Sequence, residues 1–273
     1  MTIYQKQSLL AAISPCPNDT YVFGAWILGL VGDLPFARTR FVWEDVQTLN
    51  EMAAEGLVDM IKVSAVQGIV LEDYKVLSCG GAFGLGQGPK LVVRSGWQKV
   101  PRTIAVPGMQ TTAYALLKAA ADFDFEPVPM LFHEIPQAVR QGTVCAGLLI
   151  HETALIYKSL GLEISLDIGD WWDRATECLP LPLGLIVVRK KSGSELVRHA
   201  EQMIRKSLDL VRLHPEQVMP LIRSLAREIN DQVISEHINA YVNRYSYDMG
   251  DQGLRALEFL RNRVIERGNE GTA

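Results

Sequence analysis

The stretch TIAVPGMQTTAYALLKAA, residues 103–120, changes its apolar period partway along. Ile104, Ala105 and Val106 form a short continuous apolar run that reads as a buried strand. Pro107-Gly108 breaks it, and from Thr111 onward Ala113, Leu116, Leu117 and Ala120 recur at helical spacing. The unit is a strand, a tight turn, and a helix that starts on two hydroxyls. A helix start exposes unpaired backbone N–H groups at the positive end of the macrodipole. With Gln110, Thr111 and Thr112 beside it, the turn is suited to a carboxylate or a phosphate. A plain helix cap by either threonine accounts for the same residues.

The pattern recurs on both sides. Residues 9–13 read as a first strand, followed by Ser14-Pro15-Cys16-Pro17-Asn18-Asp19-Thr20 and a helix over 21–30. Two prolines stiffen that loop. Its Asn18, Asp19 and Thr20 are helix caps or, equally, polar groups offered at the carboxyl end of a strand, where open α/β sheets take ligands. Strands are expected at 39–43 and 58–63. Between them a helix turns Val46, Leu49, Met52 and Ala53 inward, with Asn50 beside the stripe. Ser64 stands at a strand-to-helix junction, as Thr111 does.

After a strand at 75–78, the glycine-dense run 80–89 matches neither a dinucleotide fingerprint nor a Walker loop. A strand at 90–94 and a crossing segment to 102 lead into the quoted unit. Beyond it come strands at 128–132, 146–150 and 162–168, helices at 136–141 and 153–160, and a loop holding Trp171-Trp172. Pro180-Leu181-Pro182-Leu183-Gly184 leads into a returning strand at 185–189. From Ser194 the chain is nearly all helix. Leu196, Ala200, Met203, Ile204, Leu208 and Val211 make one stripe, and Leu254, Leu257, Leu260 and Val264 make the last.

Of 273 residues, 48% are hydrophobic and 21% charged, an ordinary globular mix with room for two domains. A net charge of −4 leaves no electrostatic footprint for nucleic acid. The apolar stretch 9–13 is shorter than a secretory core, and nothing approaches a membrane span. Cys16, Cys79, Cys145 and Cys178 lie far apart without CxxC spacing, which argues against zinc and fits reduced thiols. The expectation is a cytoplasmic protein with no nucleic acid, no membrane span and no metal. A homodimer is left open.

Alternating strands and helices imply an α/β protein with sheets covered by helices. Two crossing segments suggest two lobes, residues 1–99 with 188–273 and residues 100–187, with the ligand cleft between them. Strand-end loops would line that cleft.

Several segments together resemble one family, the 1,4-dihydroxy-6-naphthoate synthases of the futalosine route to menaquinone. They are Ser-Pro-Cys-Pro-Asn-Asp-Thr (14–20), Asp-Val-Gln-Thr-Leu-Asn (45–50), Lys-Val-Ser (62–64), and Val106-Pro107-Gly108 with Thr111-Thr112-Ala113. Leu149-Ile150-His151-Glu152, Pro180 to Gly184, and His237-Ile238-Asn239-Ala240-Tyr241-Val242-Asn243 with Tyr245-Ser246 complete the set. The glycine run departs from the family's usual GxGCGP, with Gln87 in the cysteine's place.

The resemblance implies a two-lobed fold like that of periplasmic binding proteins. It also implies cofactor-free cleavage of cyclic dehypoxanthinylfutalosine to 1,4-dihydroxy-6-naphthoate and dihydroxyacetone. Carried over by position, His151 is the proton acceptor, and Lys62, Val63, Ser64, Thr111, Thr112 and Ala113 hold substrate, with Asn50 and Asn18 facing the site. An imidazole of ordinary pKa, about 6.5, suits a base working near neutrality. His133, also after a strand, is a second candidate. His199, His214 and His237 are set aside because they lie on the C-terminal helices.

Overall fold

Two mixed β-sheets, each covered by helices, carry the chain, which a computed structural model describes over residues 7–35, 37–227 and 230–262. Strand β1 (Gln7–Ile13) passes through α1 (Pro17–Ile27) to β2 (Ala37–Trp43), which lies parallel beside it. Helix α2 (Val46–Ala54) then delivers β3 (Met60–Ser64), parallel on β1's other side. Helix α3 (Ala65–Val70), β4 (Tyr74–Val76) and β5 (Ala82–Gly84) follow.

Residues 85–89 carry the chain to β6 (Lys90–Arg94), a strand of the second sheet. That sheet is completed by β7 (Thr103–Val106), α4 (Thr112–Ala120), β8 (Glu126–Pro129), α5 (Ile135–Gln141), β9 (Ala146–Leu149), α6 (His151–Leu155), β10 (Leu162–Asp167) and α7 (Ile168–Thr176). Its strand order is β10-β6-β9-β7-β8. The central β9 is antiparallel to β6 and parallel to β7, so Gly147 is paired with both Val92 and Ala105.

The chain returns as β11 (Leu181–Arg189), antiparallel to β3, β4 and β5. Helices α8 (Gly193–Leu213), α9 (Met219–Leu225), α10 (Asp231–Tyr241), α11 (Arg244–Tyr247) and α12 (Gly250–Phe259) close the fold. The stripe on α8 is buried as expected. Helix α10 packs on α1 of the first lobe and also on α6 of the second, so it spans the gap between them.

The strands do not divide where the sequence suggested. Residues 90–94, expected in the first lobe, pair with β9 and β10. Most of β11, expected in the second, pairs in the first sheet. The crossings therefore fall at residues 85–89 and 177–180. The glycine run is the first of them, and a Cβ on Gly84 would lie 1.9 Å from the Gln87 carbonyl oxygen. That tight fold of the backbone excludes any side chain.

Local readings shift too. The Trp171-Trp172 segment is helical, capped by the Asp167 carboxylate on the N–H groups of Gly169 and Asp170, with Trp172 fully buried. Helix α6 begins at His151 rather than at 153, and β8 ends at Pro129. On α12 the buried positions are Gly253, Ala256 and Leu260, while Leu254 is 57% exposed; Val264 lies outside the described residues.

Candidate functional site

A cavity opens between the sheets where the strand ends meet. Ser14, Asn18, Asp19, Lys62, Val63 and Ser64 line it from the first lobe, and Thr111, Thr112, Ala113 and His151 from the second. Each of these follows or ends a strand, as the repeated strand–turn–helix pattern dictates. Leu183 and Gly184 of β11 and Tyr241 of α10 complete the wall. Asn50 does not line it. Buried behind, it donates to the Ser64 hydroxyl (3.1 Å) and to the Gln110 carbonyl (3.2 Å), and accepts from the Ser64 N–H (2.9 Å). Its amide ties the end of β3 to the turn before α4.

Asp19 anchors the floor. Its carboxylate takes Lys62 Nζ at 2.5 Å, Asn18 Nδ2 at 2.8 Å and Ser14 Oγ at 2.7 Å, with both ions nearly fully buried. Three donors on one buried carboxylate are the condition under which such a charge is tolerated. Because Asn18 gives its N–H to Asp19, its carbonyl oxygen faces the other way and accepts from His237 Nε2 at 2.9 Å. That fixes a proton on His237 Nε2. The other ring nitrogen, Nδ1, lies 3.4 Å from Glu152 Oε2, a close approach without hydrogen-bond geometry. The neighbouring histidines hold the Glu152 carboxyl below its ordinary range against the opposing effect of burial.

His151 lies on top of this chain. Its ring is stacked on that of His237, centroids 5.9 Å apart, and takes the edge-on contact of Phe132 at 5.0 Å. Its backbone has φ 53, left-handed territory that histidine enters more readily than most residues but still at a cost. Among the described residues no hydrogen bond to its ring is formed. Burial pushes its pKa down to about 4, with Glu152 pulling the other way. The imidazole is therefore neutral at pH 7, with both nitrogens unspent and the ring in the cavity wall. This departs from the ordinary pKa expected, and desolvation is the reason. Tyr241, held well above its usual range by burial, keeps its proton.

The threonines are more committed than the sequence suggested. Thr111 caps α4 by accepting from Tyr114 N–H at 3.2 Å and donates to the Gly108 carbonyl at 2.8 Å. Thr112 donates to Leu183 O at 3.0 Å and accepts from Val66 N–H at 3.3 Å, bonds that cross from one lobe to the other. What the helix start offers the cavity is thus its backbone N–H groups at Thr112 and Ala113. Gly108, at φ 146, brings the turn so close to α2 that a Cβ would meet Gln47 Oε1 at 2.3 Å. Ser64 Oγ accepts from Asn50, so its own proton is available to the cavity.

His133 does not reach this cavity. It lines a second one, adjoining the first through Ser14, Val46 and His151. Three residues that matter were given no definite role from the sequence: Asp19, read equally as a cap or as a polar group at a strand end; Glu152, quoted without a role; and His237, set aside for lying on a C-terminal helix. The signal for His237 was its place on the apolar stripe of Ile234, Ile238 and Tyr241, where a histidine must find partners. Among the described residues no cluster of three metal-ligating side chains occurs, and no helix is long and apolar enough to cross a membrane.

The profile of a family described as "Menaquinone biosynthesis" matches residues 9–266. A 1,4-dihydroxy-6-naphthoate synthase of Thermus thermophilus is 40% identical over 265 residues, covering 96% of each chain. One of Streptomyces coelicolor is 39% identical over 268 residues, covering 96% of this chain and 94% of its own. Among solved structures, an Archaeoglobus fulgidus protein superposes with a TM-score of 0.90 at 33% identity, covering 97% of this chain and all (100%) of its own. The periplasmic aliphatic sulphonate binding protein of Escherichia coli superposes at 0.62 with 13% identity, covering 95% and 88%, a likeness of fold alone.

Proposed function

The chain belongs to the menaquinone-biosynthesis family, and from that premise we propose that it cleaves cyclic dehypoxanthinylfutalosine to 1,4-dihydroxy-6-naphthoate and dihydroxyacetone. The reaction would be a carbon–carbon lyase fragmentation run by side chains alone. The observation that carries this reading is the neutral, unbonded imidazole of His151 in the wall of an interlobe cavity. His151 removes a substrate hydroxyl proton. The alkoxide collapses to the carbonyl of the three-carbon product, the carbon–carbon bond breaks, and the electron pair enters the ring system that becomes aromatic.

The substrate's carboxylate is assigned to the α4 N-terminus, where the backbone N–H groups of Thr112 and Ala113 and the helix dipole favour an anion. Ser64 adds a hydroxyl donor. Lys62, also in the cavity wall, spends one of its three ammonium protons on Asp19 and has two left to donate to the same anion. His237 supports the His151 ring by stacking, and the Glu152 charge stabilises the imidazolium it becomes.

Turnover of the cyclic substrate by purified protein, with both products quantified, tests the reading. A two-lobed receptor, the alternative that the same fold could serve, would bind the substrate and release it unchanged.

A further inference from the structure

His151 forms part of the wall of two adjoining chambers, and the second has had no assignment so far. Each holds several hundred Å³ of empty space, part of it open to solvent, about 690 Å³ in the first and about 870 Å³ in the second, and Ser14, Val46 and His151 belong to both. Water occupies roughly 30 Å³ per molecule in the liquid, so each chamber has room for a fragment of several heavy atoms.

The walls differ in chemistry. The first slot is largely aliphatic, with Val46, Leu49, Ala82 and Leu183 in its wall. In the second, unpaired polar atoms gather. Trp43 Nε1, His133 Nδ1 and Glu152 Oε2 are three of the buried side-chain atoms that lack a hydrogen-bond partner among the described residues, and all three residues line it. Buried polar groups ordinarily have partners, so three together mark a place where a ligand supplies them.

The tautomer of His133 can be read from its neighbour. Arg227 Nη1 lies 3.2 Å from His133 Nε2, and a guanidinium only donates. Nε2 therefore carries the lone pair, and neutral His133 holds its proton on Nδ1. Trp43 and His133 are thus two unspent N–H donors, with the Arg227 guanidinium alongside, 6.0 Å over the Phe132 ring. Donors of this kind match hydroxyl and carbonyl oxygens.

We propose that this second chamber is the binding subsite for the hydroxylated three-carbon portion of the substrate and receives it as it leaves, while the flat aromatic carboxylate stays in the first slot. His151 then stands at the boundary between the two products, where the bond between them breaks. This assignment rests on the lyase reading above and divides one substrate between two chambers.

Product inhibition of the full chain tests it, with dihydroxyacetone and 1,4-dihydroxy-6-naphthoate as separate probes. Dihydroxyacetone, having few atoms, should inhibit only in roughly the millimolar range. Trp43→Phe keeps an aromatic ring and removes the N–H; His133→Leu removes the other donor. Each should raise the Ki of dihydroxyacetone about three- to tenfold, the effect of one lost neutral hydrogen bond, and leave the Ki of the naphthoate within about twofold of wild type. Thermal melting identifies any variant whose fold is disturbed, and the other then decides. If dihydroxyacetone does not inhibit wild type, or its Ki is unmoved in both variants, or both Ki values rise together, the subsite assignment is overturned. Those results leave the lyase reading intact so long as the wild type forms both products. Absence of turnover would sink the reading itself.

Discussion

The imidazole of His237 lies parallel to that of His151, ring centroids 5.9 Å apart and planes 10° from parallel. One ring comes from the start of α6 in the second lobe, the other from α10 at the far end of the sequence. Among the described residues the outer ring has no hydrogen bond, and the inner one is bonded to Asn18 and lies against Glu152. Stacking makes the buried ring the platform on which the open one rests.

Replacing His151 with Asn should lower kcat about 10²–10⁴-fold, or about 2.7–5.4 kcal/mol of barrier, with KM within a few-fold of wild type. Asn also tolerates the left-handed backbone, so the fold should survive. His133→Asn retains an amide near the Nδ1 position and should keep kcat within a few-fold. The opposite outcome, in which His133→Asn loses turnover and His151→Asn keeps it, would move the base to the second chamber.

The acid limb of the rate profile should fall near pH 4, because burial holds His151 at about that pKa. Glu152→Gln removes the charge that pulls the imidazole upward. It should shift that limb lower still and reduce kcat by an order of magnitude or so, with little change in KM. A limb that stays put in Glu152→Gln would mean that the carboxylate does not sense His151.

The same shift links to stability. The unfolded chain binds a proton on His151 below pH 6.5, whereas the folded chain does so only below about 4. Between those values the unfolded state holds more protons, so stability rises with pH across that window and is level above it for this group. The slope from one histidine is at most about 1.4 kcal/mol per pH unit. Glu152, its carboxyl lowered in the fold, adds loss at the acid end, and Asp19, Lys62 and His237 face the same ring. Denaturant melts from pH 4 to 7 should show a shallower slope for His151→Asn than for wild type; equal slopes would contradict the shift.

Lys62→Met leaves the Asp19 carboxylate buried without its ammonium. Removing one partner of a buried pair costs about 3–5 kcal/mol, so a marked fall in Tm is expected. Lys62→Met with Asp19→Asn should recover a good part of that loss. If the double variant melts no higher than the single one, the pair is not coupled as the 2.5 Å contact implies.

The anion clamp can be separated into side chain and backbone. Thr112→Val removes the bonds to Leu183 and Val66 but keeps the N–H. Thr112→Pro removes the N–H as well, at a first helical position where proline is accepted. A lost bond to a charged group corresponds to about 1.5–3 kcal/mol, so KM should rise tenfold or more from Val to Pro. Equal KM values would place the carboxylate elsewhere.

Much of this site was legible because it is local. The strand–turn–helix pattern puts Ser14, Ser64, Thr111 and His151 at strand ends, and period alone reveals those ends. The partners of these residues were not legible. Whether Thr112 Oγ1 spends its proton on Leu183, or Asn50 turns inward, depends on neighbours 71 and 60 positions away. Residues 90–94 looked like a strand and are one, but an apolar run does not say which sheet it joins. His237 was hidden because its three neighbours, Asn18, Glu152 and His151, are contributed by distant segments that only the folded chain brings together.

The backbone at position 151 invites one more thought. Its φ of 53 is one that asparagine and glycine adopt more readily than histidine. A descendant carrying either residue there would lose the base while relieving local strain, and the latching bonds, the anion-holding turn and the buried ion pair would all persist. Such a chain would be a receptor for the same molecule. On the proposed reading, capture and conversion are separated in this architecture by a single codon, and selection for turnover would keep the less comfortable side chain in place.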